Sequence, residues 1–181
     1  MLEITIPKTE LWDERTGEFI TIKETHLKLE HSLVSISKWE SKWCKPFFDK
    51  NQKTTEETID YIKCMTITQN VDPNVYLALN TQLLDQILKY INAPMTATTI
   101  RKNEEKTGGT KKTITSEVIY YWMITLNIPM ECQKWHVNRL LMLIEVCNAE
   151  NAPKKKMSQG DLMRRNAALN KARRKRMRSK G

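Results

Sequence analysis

Between Pro153 and Gly181, twelve basic side chains stand against a single acidic one, Asp161. Cations at that density cannot share a core, because each would need a buried counter-ion. The other 152 residues hold 18 basic and 20 acidic residues, so the formal charge of +9 conceals a near-neutral body joined to a polycationic segment. The composition breaks at Asn151-Ala152-Pro153. Residues 1–151 are therefore expected to form one globular domain, and residues 152–181 a basic tail that is helical in part. Apolar residues make up 40% of the chain and include five tryptophans, enough to build a core and to exclude wholesale disorder.

The body changes period along its length. LEITIP alternates apolar and polar residues as a half-buried strand does, and FITIKETHLKLE resumes the alternation after a turn-rich stretch, with a phase slip around Lys23. The two strands are expected to form a hairpin lying against helices. From Ser32 the apolar spacing becomes three to four (Leu33, Ile36, Trp39, Trp43), a helical face that ends before Pro46. Thr54 and Glu57 have the spacing of a capping box and open a second helix with Ile59, Ile62 and Met65 inward. Pro73 suits the first turn of a short helix. TQLLDQILKYI then carries a wide apolar stripe of Leu83, Leu84, Ile87, Leu88 and Ile91.

Residues 93–115 are polar and threonine-rich, and are expected to be an exposed, mobile excursion centred on Gly108-Gly109. After Thr115 or Ser116, the helix SEVIYYWMITLNI is apolar on most sides and is expected to be central. Pro129 is expected to start a further helix running to Cys147, pairing with it as a helical hairpin. Ser158 and Asp161 are spaced as a capping box for a last, basic helix. The expected class is mainly α (α+β), with an N-terminal β-hairpin on a compact helical domain.

Val118–Met130 is the longest near-apolar run and falls short of the ~20 residues a membrane span needs. The opening MLEITIPKTE has neither a basic n-region nor an apolar h-region, and the expectation is a cytosolic chain without membrane contact. Cys44, Cys64, Cys132 and Cys147 are then expected to be buried thiols.

Catalytic patterns are thin. Cys132 and His136 are four apart, but a thiolate–imidazole dyad also needs an orienting group and an oxyanion site, and no Gly-rich turn supplies one nearby. Core packing is the expectation for that pair. The cysteines lack zinc-finger spacing, and Gly108-Gly109 lacks a Walker pattern. Glu56, Glu57 and Asp60 at a helix start favour the helix dipole. Trp39, Trp43, Tyr120, Tyr121, Trp122 and Trp135 lie in the neutral body, where core packing explains them better than base stacking. No catalytic residue, metal ligand or cofactor is expected. The basic segment can meet an acidic protein surface, serve only solubility, or, less favoured because the body adds no basic face, bind nucleic acid.

Several strings carry a family resemblance: LKLEHSLVSISKWESKW (Leu27–Trp43), ETIDYIKCMT (Glu57–Thr66), APMTATT (Ala93–Thr99), SEVIYYWMITLNIPMECQKWHVNRLLMLIEVCN (Ser116–Asn148) and the stretch Pro153–Gly181. They resemble small proteins encoded in the structural-gene modules of tailed bacteriophages, a group that includes tail assembly chaperones. The resemblance implies a non-catalytic binder in the host cytoplasm that keeps the tape measure protein soluble while the major tail protein polymerises around it. Homo-oligomer formation remains open. The partner-binding residues are expected to be Lys154, Lys155, Lys156, Arg164, Arg165, Arg173, Arg174, Lys175, Arg176 and Arg178. The alternative readings are a virion component, such as a head–tail connector or tail-completion subunit, and a nucleic-acid-binding accessory protein.

Overall fold

The computed structural model describes residues 1–14, 17–49, 51–99, 113–152 and 159–177, apart from the side chains of Asp13 and Asp161. The fold is mainly helical, with an N-terminal β region packed against the helices. The expected hairpin is present as four short strands: β1 (Leu2–Ile6), β2 (Thr9–Asp13), β3 (Glu18–Ile22) and β4 (Thr25–Leu29). β1 pairs antiparallel with β4, Ile4 opposite Leu27, and β2 with β3, Leu11 opposite Ile20. Pro7-Lys8 and Lys23-Glu24 separate the two ladders, and Pro7 has no N–H to donate. At this gap both strands change which parity faces inward, from Ile20 and Ile22 to Leu27 and Leu29. The phase slip at Lys23 is thus the break between ladders.

Six α-helices are described: α1 (Leu33–Trp43), α2 (Thr55–Met65), α3 (Thr81–Asn92), α4 (Ser116–Thr125), α5 (Val137–Asn151) and α6 (Gln159–Met177), with 3₁₀ helices at Pro73–Ala78 and Met130–Lys134. Local chemistry sets most of the starts. Ser32 caps α1 in a box with Ser35, and Thr54 caps α2 in the expected box with Glu57. The Asn80 side chain accepts the Leu83 N–H at 2.9 Å to cap α3. Cys44 closes α1 in the left-handed conformation.

Two apolar clusters form. Ile4, Ile6, Leu27 and Leu29 of the β region pack with Ile36 and Trp39 of α1, Ile62 and Met65 of α2, and Ile87 of α3. Leu33, Ile119, Met123, Ile128, Leu140 and Ile144 form the second. α1 supplies residues to both, and so does α5, through Val137 and Leu140.

Several expectations need correction. α4 is not central: Ile119 and Met123 are buried, but Tyr121 is 64% and Ile124 67% exposed. A helix apolar on all sides has no polar face to specify its orientation, and here neighbours cover only one stripe. The chain after Pro129 forms a 3₁₀ helix and not yet the expected α-helix. The 3₁₀ turn ends at Trp135, His136 pairs with Ser32 in an isolated β-bridge, and α5 starts at Val137. The cross-chain bond from Val137 N–H to the His31 carbonyl, 2.9 Å, fixes that start. In α2, Tyr61 is buried while Ile59 is only partly so, and in α3 Tyr90 takes the inward place expected of Leu88. Of the four cysteines, only Cys132 is buried, and Cys44 is exposed. The centre of the expected excursion, Gly108-Gly109, and the Ser158 cap lie outside the described residues.

α4 has no side-chain cap of its own. Its first N–H, that of Ser116, instead donates to Glu40 Oε2 of α1 at 2.7 Å, and Glu40 Oε1 accepts the Phe47 N–H at 2.7 Å. Both donors are buried, and an unsatisfied buried N–H costs ~1–3 kcal/mol. Glu40→Ala is therefore expected to lower unfolding stability by about 3 kcal/mol, and Glu40→Gln, which keeps one acceptor, by about half as much. Urea midpoints at unchanged m-value measure both, and an E40A variant within 0.5 kcal/mol of the parent would contradict the clamp.

Candidate functional site

The body, Met1–Ala149, and the basic segment, Glu150–Gly181, are two separate compact units. Of the expected partner-binding residues, Arg164, Arg165, Arg173, Arg174, Lys175 and Arg176 lie on α6 and are all exposed; Lys154, Lys155, Lys156 and Arg178 lie outside the described residues. Leu162, Met163, Leu169 and Met177 of α6 are exposed too. The apolar side chains of this helix form no core.

In the body, several ionisable side chains are held in hydrogen bonds and ion pairs. Glu57 Oε2 accepts the Thr54 N–H at 2.8 Å, and Glu57 Oε1 accepts from Lys45 Nζ at 2.6 Å. The Lys45 bond and the Thr54 amide together lower the Glu57 pKa. Asp60 is not merely a helix-start charge. It accepts from Lys42 and, at 2.9 Å, from Trp43 Nε1, and so ties α2 to α1. Burial pushes its pKa up, but the two donors outweigh that and lower it overall. Lys53 donates to the Phe47 carbonyl at 2.7 Å, with its ammonium 4.2 Å from the Phe47 ring centroid, and burial lowers its pKa.

Cys132 and His136 do not act as a pair. Cys132 belongs to the second apolar cluster. His136 Nε2 donates to the Tyr90 carbonyl at 3.0 Å, which leaves Nδ1 to accept the Asn138 N–H at 3.3 Å. Neither ring nitrogen is left to take a proton from a thiol. His136 instead sits edge-on to His31, ring centroids 4.9 Å apart, and edge-on to Tyr90 at 5.0 Å. His31 Nδ1 shares a hydrogen bond with the Tyr61 hydroxyl, which lies 3.5 Å from Ser35 Oγ. Burial, with His136 beside it, lowers the His31 pKa to about 3, and burial also lowers that of His136. The four rings of this buried cluster, His31, Tyr61, Tyr90 and His136, lie 29 to 105 residues apart in sequence, beyond any local spacing.

The surface offers a different feature. A groove of about 340 Å³ lies among α2, the Pro73–Ala78 turn and α3, lined by Ile59, Tyr76, Leu77, Leu79 and Leu84, with Lys53, Thr55 and Thr58 as its polar members. Leu77 is 58% exposed. Leu88, one turn beyond Leu84 on α3 and 48% exposed, extends the apolar row. Trp12 and Phe19, paired across β2 and β3 with ring centroids 4.9 Å apart, make a second exposed apolar spot. The expectation that aromatics serve the core holds for Trp39 and fails for Tyr121. Among the described residues, no three His, Cys, Asp or Glu side chains converge on a metal position, and no helix is long and apolar enough to cross a membrane. No protein-family model, curated protein or solved structure matches this chain.

The histidine cluster sets a pH dependence. His31 has its folded pKa depressed to about 3 from 6.5, so the unfolded chain binds more protons between those values. Its contribution to stability is complete above pH 6.5 and is lost as pH falls towards 3. Unfolding stability is expected to drop by about 2 kcal/mol between pH 7 and pH 5 from His31 alone, a window above most carboxylate titration. Urea midpoints across that range measure it, and a flat profile would contradict a neutral buried His31.

Proposed function

We propose that the protein is a non-catalytic assembly factor of the tail chaperone type, which shields the tape measure protein of a tailed bacteriophage in the host cytoplasm until the major tail protein encloses it. The observation that carries this reading is the apolar groove of Ile59, Tyr76, Leu77, Leu79 and Leu84, with Leu88 prolonging its row. A tape measure protein is a long helical chain whose apolar faces are uncovered before the tube forms. An amphipathic helix lays such a face into an apolar groove, anchored at three- and four-residue spacing. Leu77 in the 3₁₀ turn, 58% exposed, and Leu88 on α3, 48% exposed, suit that occupant, because association removes their apolar surface from water. The occupied state of the polar groups in the body supports a binding rather than a chemical role.

The test is co-expression with the tape measure protein of the same gene module. The parent chain is expected to keep the tape measure protein in the soluble fraction. Leu77→Asp combined with Leu88→Asp is expected to lose that effect with an unchanged thermal midpoint, because both side chains already face solvent. Rescue undiminished by the double substitution would remove the groove from the mechanism. Finding the protein at stoichiometric level in purified virions would reject the chaperone reading in favour of a permanent connector or tail-completion subunit.

A further inference from the structure

We infer that α6 is a sequence-independent binding element for duplex DNA that lies in the major groove, an activity beyond the chaperone reading and independent of it. Seven of its 19 residues are cations, and every side chain described on it is exposed. Their placement around the helix matters more than their number. At about 100° per residue, Arg164, Lys171 and Lys175 fall in one stripe, and Arg165 and Arg176 in another about 110° away. Between the two stripes fall Ala168 and Ala172, both small and exposed, and, at the N-terminal end, the position of Asp161, while Arg173 and Arg174 fall outside both stripes.

An acidic protein surface presents one wall and would engage one stripe. Duplex DNA presents two rows of phosphates on either side of a major groove about 12 Å wide, which admits a helix of about 10–12 Å. Alanines facing the floor allow close approach, and the flanking stripes then meet the two phosphate rows. The methyl side chains of Ala168 and Ala172 carry no donors or acceptors for the base edges, so the contact along them is blind to sequence. A-form RNA closes off this mode, since its major groove is deep and narrow. The helix also gains from binding. Lys171 and Lys175 repel each other at i,i+4, and no acidic residue within α6 other than Asp161 opposes the seven cations. Phosphate contact relieves that repulsion.

The experiment is fluorescence anisotropy of the full chain with 20-base-pair DNA duplexes of two unrelated sequences, from 50 to 200 mM salt. Equal affinity for both sequences is expected, with log K falling against log salt at a slope of about −4.5 for five phosphate contacts. Arg164→Gln, Lys171→Gln and Lys175→Gln together are expected to remove about half of that slope while leaving the thermal midpoint of the body unchanged. Single-stranded DNA and an RNA duplex of the same length are expected to bind more weakly, and poly-glutamate is expected to be a poor competitor. Absence of duplex binding at 50 mM salt, equal binding to the RNA duplex or single strand, full displacement by poly-glutamate, or an unchanged slope in the triple variant would each overturn the inference.

Discussion

The Glu40 carboxylate is buried near the end of α1, and its two oxygens accept backbone N–H groups from Phe47 and Ser116, the latter 76 residues away in sequence. Such a group is costly to desolvate, and charge-assisted bonds of this kind offset the cost only when geometry is tight. The two clusters that make the core depend on this arrangement. α1 contributes Ile36 and Trp39 to the first and Leu33 to the second, and α4 belongs only to the second. With no side-chain cap of its own, α4 takes its starting point from α1. The same side of the molecule is further joined by Trp39 Nε1 donating to the Glu57 carbonyl at 2.9 Å and by Asp60 holding Trp43. Three long-range polar contacts thus fix how α1, α2 and α4 meet, and apolar burial fills the space they define.

What could be read from the sequence is what short-range physics decides. The capping box at Thr54 and Glu57 involves residues three apart and formed as expected. The phase slip at Lys23 was visible because strand parity is a two-residue property. Expectations failed where partners are distant. Pro129 has the local character of a helix start, yet the bridge of His136 to Ser32 and the bond from Val137 to His31 delay α5 until those contacts are made. α4 looked central because hydrophobicity measures what a helix can bury, not how many neighbours arrive to bury it. Leu88 looked inward for the same reason.

The candidate surfaces divide along the same line. The cations of the basic segment are a compositional fact, legible at once, and their stripes follow from helical periodicity once α6 is granted. The groove was not legible. Leu77 sits in a 3₁₀ turn, where neither a period of 3.6 nor one of 2 applies, and Leu79 and Leu84 join it only through the packing of α3 on the β region and α2. The buried set of His31, Tyr61, Tyr90 and His136 was hidden too, because each of its members reads singly as an ordinary surface or core residue.

The two surfaces differ in the force available to them, and under the proposed readings that difference has consequences. Burial of Leu77 and Leu88 draws on the hydrophobic effect, which salt does not screen and strongly hydrated anions strengthen. The cationic stripes of α6 act through a field that fades over about 8 Å at physiological ionic strength. If both surfaces bind as proposed, raising the ionic strength alone would release the partner of α6 and leave the one in the groove bound. In the body, Glu40, Glu57, Asp60, His31 and His136 are each held in hydrogen bonds. The groove keeps its apolar lining whatever the ionic strength, whereas the repulsion between Lys171 and Lys175 on α6 is weakened by salt and by an anionic partner.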